Sequence, residues 1–182
     1  MKLTKPLLEH FCKYKTSIKV DGILFVVPSH LLHKCDKCGA CCRVDHPSIA
    51  KEEIEELKAL GYNGFYEENK ERETGFMMAR VNEKCFFLGD DNLCKIYEHR
   101  PLTCRVYPYK FSLCEFGKSR RLGALQEVEG LKDGEESICG GWKKEFVTKE
   151  SLKPAAKNLN IVLERLYLLV GKERAEELKK YM

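Results

Sequence analysis

The sequence lacks the features that would send it to a membrane, a secretory route or a standard hydrolase class. No stretch approaches the roughly 20 consecutive apolar residues of a membrane-spanning helix. The opening residues, Met1-Lys2-Leu3-Thr4-Lys5-Pro6-Leu7-Leu8-Glu9-His10, hold no apolar run of signal-peptide length. There is no H-E-x-x-H, no phosphate-cradling glycine loop and no Ser/His/Asp spacing, and Asp45-His46 alone does not make a hydrolytic site. No basic block stands out either. Lys+Arg 32 against Asp+Glu 28 gives only +4, so nucleic acid stays open as a partner but charge alone does not argue for it. Internal repeats, low-complexity tracts and Pro/Gly linkers are missing as well. The expectation is one compact domain over residues 1–182, with a motif-bearing core at about 33–142 and a helical part at about 148–182.

What the chain has in excess is sulfur, with 10 Cys in 182 residues. A disulfide framework would need an oxidising compartment. Adjacent Cys41-Cys42 and overlapping C-x-x-C steps suit a reduced, metal-binding loop better, and the expected location is the cytoplasm. Four thiols crowd into Cys35-Asp36-Lys37-Cys38-Gly39-Ala40-Cys41-Cys42. Thiolates are the preferred ligands of zinc and of iron–sulfur clusters.

The rest of the chain supplies short elements around that loop. Residues 1–16 suggest a helix, with Cys12 as a small buried apolar residue. Residues 17–27 are β-branched around Asp21-Gly22, a hairpin signal. Ser48 suits an N-cap for a helix over 49–60, with Ile49, Ile54, Leu57 and Leu60 on one face. Glu52, Glu53, Glu55, Glu56 and Lys58 fall mostly outward, and Gly61 closes the helix. Residues 62–74 suggest a loop or short exposed helix, and 75–81 a strand. Asp90-Asp91-Asn92 marks a turn, Pro101 opens a short helix through Cys104, and Pro108 stops it. A strand is possible at 122–128. From Ser151, Leu152, Ala155, Ala156, Leu159, Val162, Leu163, Leu166, Leu169 and Val170 recur at a helical period, broken at Gly171. A charged helix over about 172–181 follows.

Two cysteines three apart in a tight turn can aim both sulfurs at one metal. Glycine after the second lets backbone N–H groups approach them. Cys35, Cys38 and Cys41 also have the spacing that holds three corners of a cubane cluster with a remote fourth ligand. Cys42 adds a second-site or spare thiol. The remote candidates are Cys85, Cys94, Cys104 and Cys139, while Cys114 has no supporting context. Burying several thiolates without compensation is prohibitive. Arg43, Arg100 and Arg105, next to the motifs, are therefore expected beside the bound centre. With cysteines in surplus, His33, His46 and His99 are expected to be surface or hydrogen-bonding residues rather than ligands.

Together, Cys35-x-x-Cys38-x-x-Cys41-Cys42, Cys85-Phe86-Phe87-Leu88 and Cys94-x-Ile96-Tyr97-x-x-Arg100-Pro101-x-x-Cys104-Arg105-x-Tyr107-Pro108 resemble the CxxCxxCC, or YkgJ-type, cysteine-cluster family. The resemblance spans about residues 33–142. It implies zinc or iron chelation by these cysteines, and it does not supply a substrate. A related cluster occurs in flagellin lysine methylases, but no separate methyl-donor site is visible here.

The expected fold is α+β, with short antiparallel strands, irregular cysteine loops and C-terminal helices. The expected function is metal binding by Cys35, Cys38, Cys41, Cys42, Cys85, Cys94, Cys104 and Cys139. The first choice of centre is an iron–sulfur cluster of the 4Fe-4S type, serving electron transfer or a small oxidoreductase with a redox or protein partner. Tyr97, Tyr107, Tyr109, Phe86 and Phe87 would shield it from water. The alternatives are a zinc-stabilised module that binds RNA or protein, and a metal-delivery or sensing protein.

Overall fold

In chain order the strands β1 (Lys15–Val20), β2 (Ile23–Pro28) and β3 (Leu32–His33) come first, then helices α1 (Cys41–Val44) and α2 (Lys51–Ala59). Strands β4 (Tyr66–Glu68), β5 (Phe76–Met78), β6 (Arg80–Val81) and β7 (Lys84–Cys85) follow, with a 3-10 turn at Tyr97–His99 and helix α3 (Leu102–Val106). Strands β8 (Tyr109–Phe116), β9 (Ser119–Gln126) and β10 (Trp142–Lys143) lead to helix α4 (Lys149–Val170). The structure is a computed structural model, and it describes residues 14–44, 46–72, 74–116, 119–126 and 140–170. The chain is α+β, as expected, and divides into two compact units. Among the described residues, one comprises 35–105 with 140–141, and the other comprises 14–34, 106–126 and 142–170.

The second unit is built on a four-stranded sheet in the order β1-β2-β9-β8. Asp21 and Gly22 both take positive φ, 48° and 84°, which fits the twist of a two-residue hairpin turn. The hairpin pairs Val20 with Ile23 through to Lys15 with Pro28. Lys15 and Thr16 therefore belong to a strand, not to the helix expected over 1–16. Pairing of β2 with β9 is parallel, Leu24 opposite Gly123, and no local signal announced it.

Ile23, Phe25 and Val27 alternate onto one face of β2 and pack with Leu152, Ala156, Leu159 and Leu163 of α4. Spacings of three and four place those helix residues in one stripe. Thr148 and Ser151 cap α4 reciprocally. The Thr148 hydroxyl accepts the Ser151 N–H at 3.2 Å, and the Ser151 hydroxyl accepts the Thr148 N–H at 2.9 Å. Asn160 donates to the Asp21 carbonyl at 3.0 Å, tying α4 to the hairpin tip. β10 pairs with β3, and His33 meets Trp142 edge-on at 5.0 Å.

Among its described residues the first unit has two- and three-residue ladders, β4 with β5 and β6 with β7, and isolated bridges that include Leu88 with Cys94. Its core is Ile49, Ile54, Leu57, Phe65, Met78, Phe87, Leu88 and Ile96, joined by Cys85. Phe87 is the hub of the ring contacts, at 5.1 Å from Tyr62, 5.4 Å from Phe65 and 5.1 Å from Phe86.

Helix α2 departs from expectation in three ways. It starts at Lys51, with Ala50 as its N-cap, because Ser48 is held in a bridge to Met77. Leu60 is 50% exposed, while Glu53, expected outward, is only 5% exposed. Gly61 does close the helix, with φ +90°. Residues 66–68 form β4 where a loop or helix was expected, and the strand over 75–81 is interrupted at Ala79. The turn at 90–92 forms as expected, with the Asn92 N–H on the Gly89 carbonyl at 3.1 Å. The helices expected before residue 14 and after 170 lie outside the described residues, as do Cys12 and Cys139. Among the described residues, no helix is long and apolar enough to cross a membrane.

Candidate metal centre

The cysteine loop is shaped by its small and acidic residues. The Asp36 carboxylate accepts the Cys38 N–H at 3.3 Å, and Lys37 and Gly39 take positive φ, 57° and 69°. A Cβ on Gly39 would come within 2.8 Å of the Asn92 carbonyl and 2.9 Å of Leu88 Cδ1. Only glycine lets the first loop press this closely on the 88–92 turn. The chain then enters α1, with the Cys42 N–H on the Gly39 carbonyl at 3.1 Å.

Residues distant in sequence meet this loop. Pairing of Arg80 with Cys85 sets β7, and Lys84 fixes the neighbouring turn through Asp90 at 2.7 Å. Cys42 then hydrogen-bonds both Cys41 and Cys85. The Cys42 thiol has one proton to donate, and sharing it with either neighbour favours that neighbour's thiolate, lowering Cys41 and Cys85 each to about 7. The Cys42 thiol is itself pushed strongly upward, first by its bond to Cys41, then by Cys85 and by burial.

Cys94 and Cys104 lie within electrostatic range of Cys41 and Cys85, and burial raises both. Cys41, Cys42, Cys85, Cys94 and Cys104 thus form one inner group. Cys35 and Cys38 are exposed. The seven described metal candidates are all free thiols, with no disulfide between them. Cys139 is not described, but its neighbour Gly140 stands where a Cβ would be 3.2 Å from the Asp36 carboxylate. Cys114 lies in β8, and its side chain is not described.

Positive charge surrounds the sulfurs. Arg100 packs its guanidinium 3.7 Å from the centre of the Tyr97 ring, donates to the Tyr97 carbonyl at 2.9 Å and points Nη1 at Cys35 Sγ, 3.9 Å away. Lys37 lies 4.2 Å from the same ring centre. The charge of Arg100 lowers Cys41 and offsets burial at Cys94 and Cys104. Burial, and then a hydrogen bond with Cys35, pushes Tyr97 up. Arg43 hydrogen-bonds the Asn92 side chain, and its carbonyl accepts from Arg80 at 2.6 Å. Arg105 stands 4.0 Å from the Glu53 carboxylate.

Arg80 was not singled out in the sequence, yet its charge favours the Cys85 thiolate. The one available signal was the two-residue step at Asn82-Glu83, which makes Arg80 the partner of Cys85. Tyr107 and Tyr109, expected as shields, belong to the second unit, where Tyr109 meets Phe25 edge-on at 5.5 Å.

A donor set of thiols suits a soft metal, and the inner sulfurs fit that requirement in type. Among the described residues, no group of three or more Cys, His, Asp or Glu side chains is placed so that it could hold a metal ion.

Comparison with known proteins agrees with the chemistry of the donors. A family model named CxxCxxCC, described as "Putative zinc- or iron-chelating domain", matches residues 34–136, more than half of the chain. An uncharacterized protein of Methanocaldococcus jannaschii is 33% identical over 105 residues, covering 53% of this chain and 51% of its own length. The chain thus spans about half the length of that curated relative. No solved structure matches the chain.

Proposed function

We propose that the cysteines of this chain, which belongs to the CxxCxxCC family described as a "Putative zinc- or iron-chelating domain", hold an iron–sulfur cluster. Its use would be electron transfer or a small oxidoreductase reaction with a redox partner. The observation that carries this reading is the meeting of Cys42 with Cys41 and Cys85, with Cys94 and Cys104 close by. That is more sulfur than one tetrahedral ion needs.

Cys41, Cys42, Cys85, Cys94 and Cys104, together with Cys35, Cys38 and Cys139, are the thiolates that would hold the centre. An iron–sulfur cluster supplies one-electron chemistry at a potential set by charge, hydrogen bonds and exposure. Arg100 and Arg80 offset thiolate charge, with Arg43 and Arg105 adding positive charge along the same segments. Tyr97 seats Arg100, and Phe86 and Phe87 exclude water on the β7 side. Free thiols fit a reducing compartment such as the cytoplasm.

Zinc is the second reading, favoured by the family description, which names it beside iron. Anaerobic purification followed by metal and acid-labile sulfide analysis decides between them. The expected result is iron with matching sulfide and a brown protein absorbing near ~400 nm. Stoichiometric zinc in a colourless protein without sulfide would overturn the iron–sulfur reading.

A further inference from the structure

We infer that Glu53 is a positioning residue for the sulfur centre, anchoring the short helix that carries Cys104; this rests on the metal-binding reading above. Glu53 is the buried charged residue among those described, at 5% exposure. A buried carboxylate is tolerated only where its oxygens are satisfied, and its partners are specific. One oxygen accepts the Ala50 N–H at 3.0 Å, at the start of α2. The other accepts the Leu102 N–H at 2.8 Å, at the start of α3. Arg105, one turn further along α3, stands 4.0 Å from that second oxygen.

Helix α3 has five residues, far below the length at which a helix holds itself together. Pro101 precedes it and donates no N–H. Glu53 therefore does for α3, across the fold, what an N-cap side chain does locally. Thr103 adds a second tether by donating to the Ser48 carbonyl at 2.9 Å. Both tethers run from the 48–53 segment to the first turn of α3, and Cys104 is the next residue. Cys104 feels the charges of Cys41 and Cys85, and its place is set by where that first turn is held.

The test compares Glu53→Gln, Glu53→Ala and Thr103→Val in the full chain. In metal-free, reduced protein, alkylation of each cysteine is followed by peptide mass. Both Glu53 variants are expected to raise the rate at Cys104 about tenfold while already exposed Cys38 is unchanged. Thr103→Val moves Cys104 in the same direction by less. In metal-loaded protein, release to a chelator quickens by about tenfold in the Glu53 variants, as expected for loss of a residue that orients a ligand.

An unchanged Cys104 rate in both Glu53 variants overturns the inference. So does a uniform rise across all the cysteines, which would mark general loosening. Wild-type protein that holds no metal overturns the function proposed above, and Cys104 reactivity then decides the anchoring by itself.

Discussion

The second unit keeps its apolar side chains in rows, and the first gathers them around thiols. In the second unit, a β-strand face with period two meets a helix stripe with period near 3.6, and the two build a core from Ile23, Phe25, Val27, Leu152, Ala156, Leu159 and Leu163. That core needs nothing beyond the chain. Among the described residues of the first unit, no strand exceeds three residues, and α2 is the one helix longer than five. Its turns depend on positive-φ residues and on side-chain tethers such as Asp36, Lys84–Asp90 and Glu53. The inner sulfurs sit at the edge of a small core, where a bound metal would act as a further crosslink. On the reading proposed above, the two units would draw stability from different sources, burial alone in one and burial with coordination in the other.

The sharpest way to break that comparison is to remove metal. Chelation under reducing conditions is expected to cost the first unit on the order of 10 kcal/mol. Amide exchange should then become rapid over 35–105 while β2 and α4 stay protected, and equal loss in both units would refute the contrast. Next in size, Leu159→Ala opens a cavity in the second core and should lower its stability by about 3 kcal/mol. Metal content by elemental analysis should not change. Cys85→Ser reverses the pattern. Metal affinity falls about 100-fold in a competition titration, with no change in the melting of the second unit. Smallest is Gly39→Ala. It forces a Cβ against the Asn92 carbonyl at positive φ, costing about 2 kcal/mol, and the expected readout is faster metal release.

Much of the second unit could be read in the sequence because its signals are local. Asp21-Gly22 marked the hairpin, and the spacing of Leu152, Ala156, Leu159 and Leu163 marked α4. The parallel pairing of β2 with β9 had no such signal, since it joins segments with most of the first unit between them. In the first unit, cysteine spacing identified the donors, and Asp90-Asp91-Asn92 identified a turn that brings Leu88 opposite Cys94. Glu53 was misjudged because helical periodicity puts it among its acidic neighbours. The donors that bury it, Ala50 and Leu102, are backbone groups with no side-chain signature. Arg80 escaped notice for a related reason. Its bearing on Cys85 arises from register, and register is decided by a turn at Asn82-Glu83 that lacks glycine.

The parallel pairing of Val26 with Leu125 has a kinetic side. Closing it means bringing together chain segments about a hundred residues apart, and the entropic penalty grows with the logarithm of that span. Most of the span is the first unit. If that unit is already folded around its metal, the flexible length left to close is far shorter. Metal supply during synthesis would then govern how quickly the sheet is completed, although its four strands hold none of the proposed ligands. Refolding followed at Trp142 should accordingly be slower from metal-free protein than from protein supplied with metal, and equal rates would exclude this dependence.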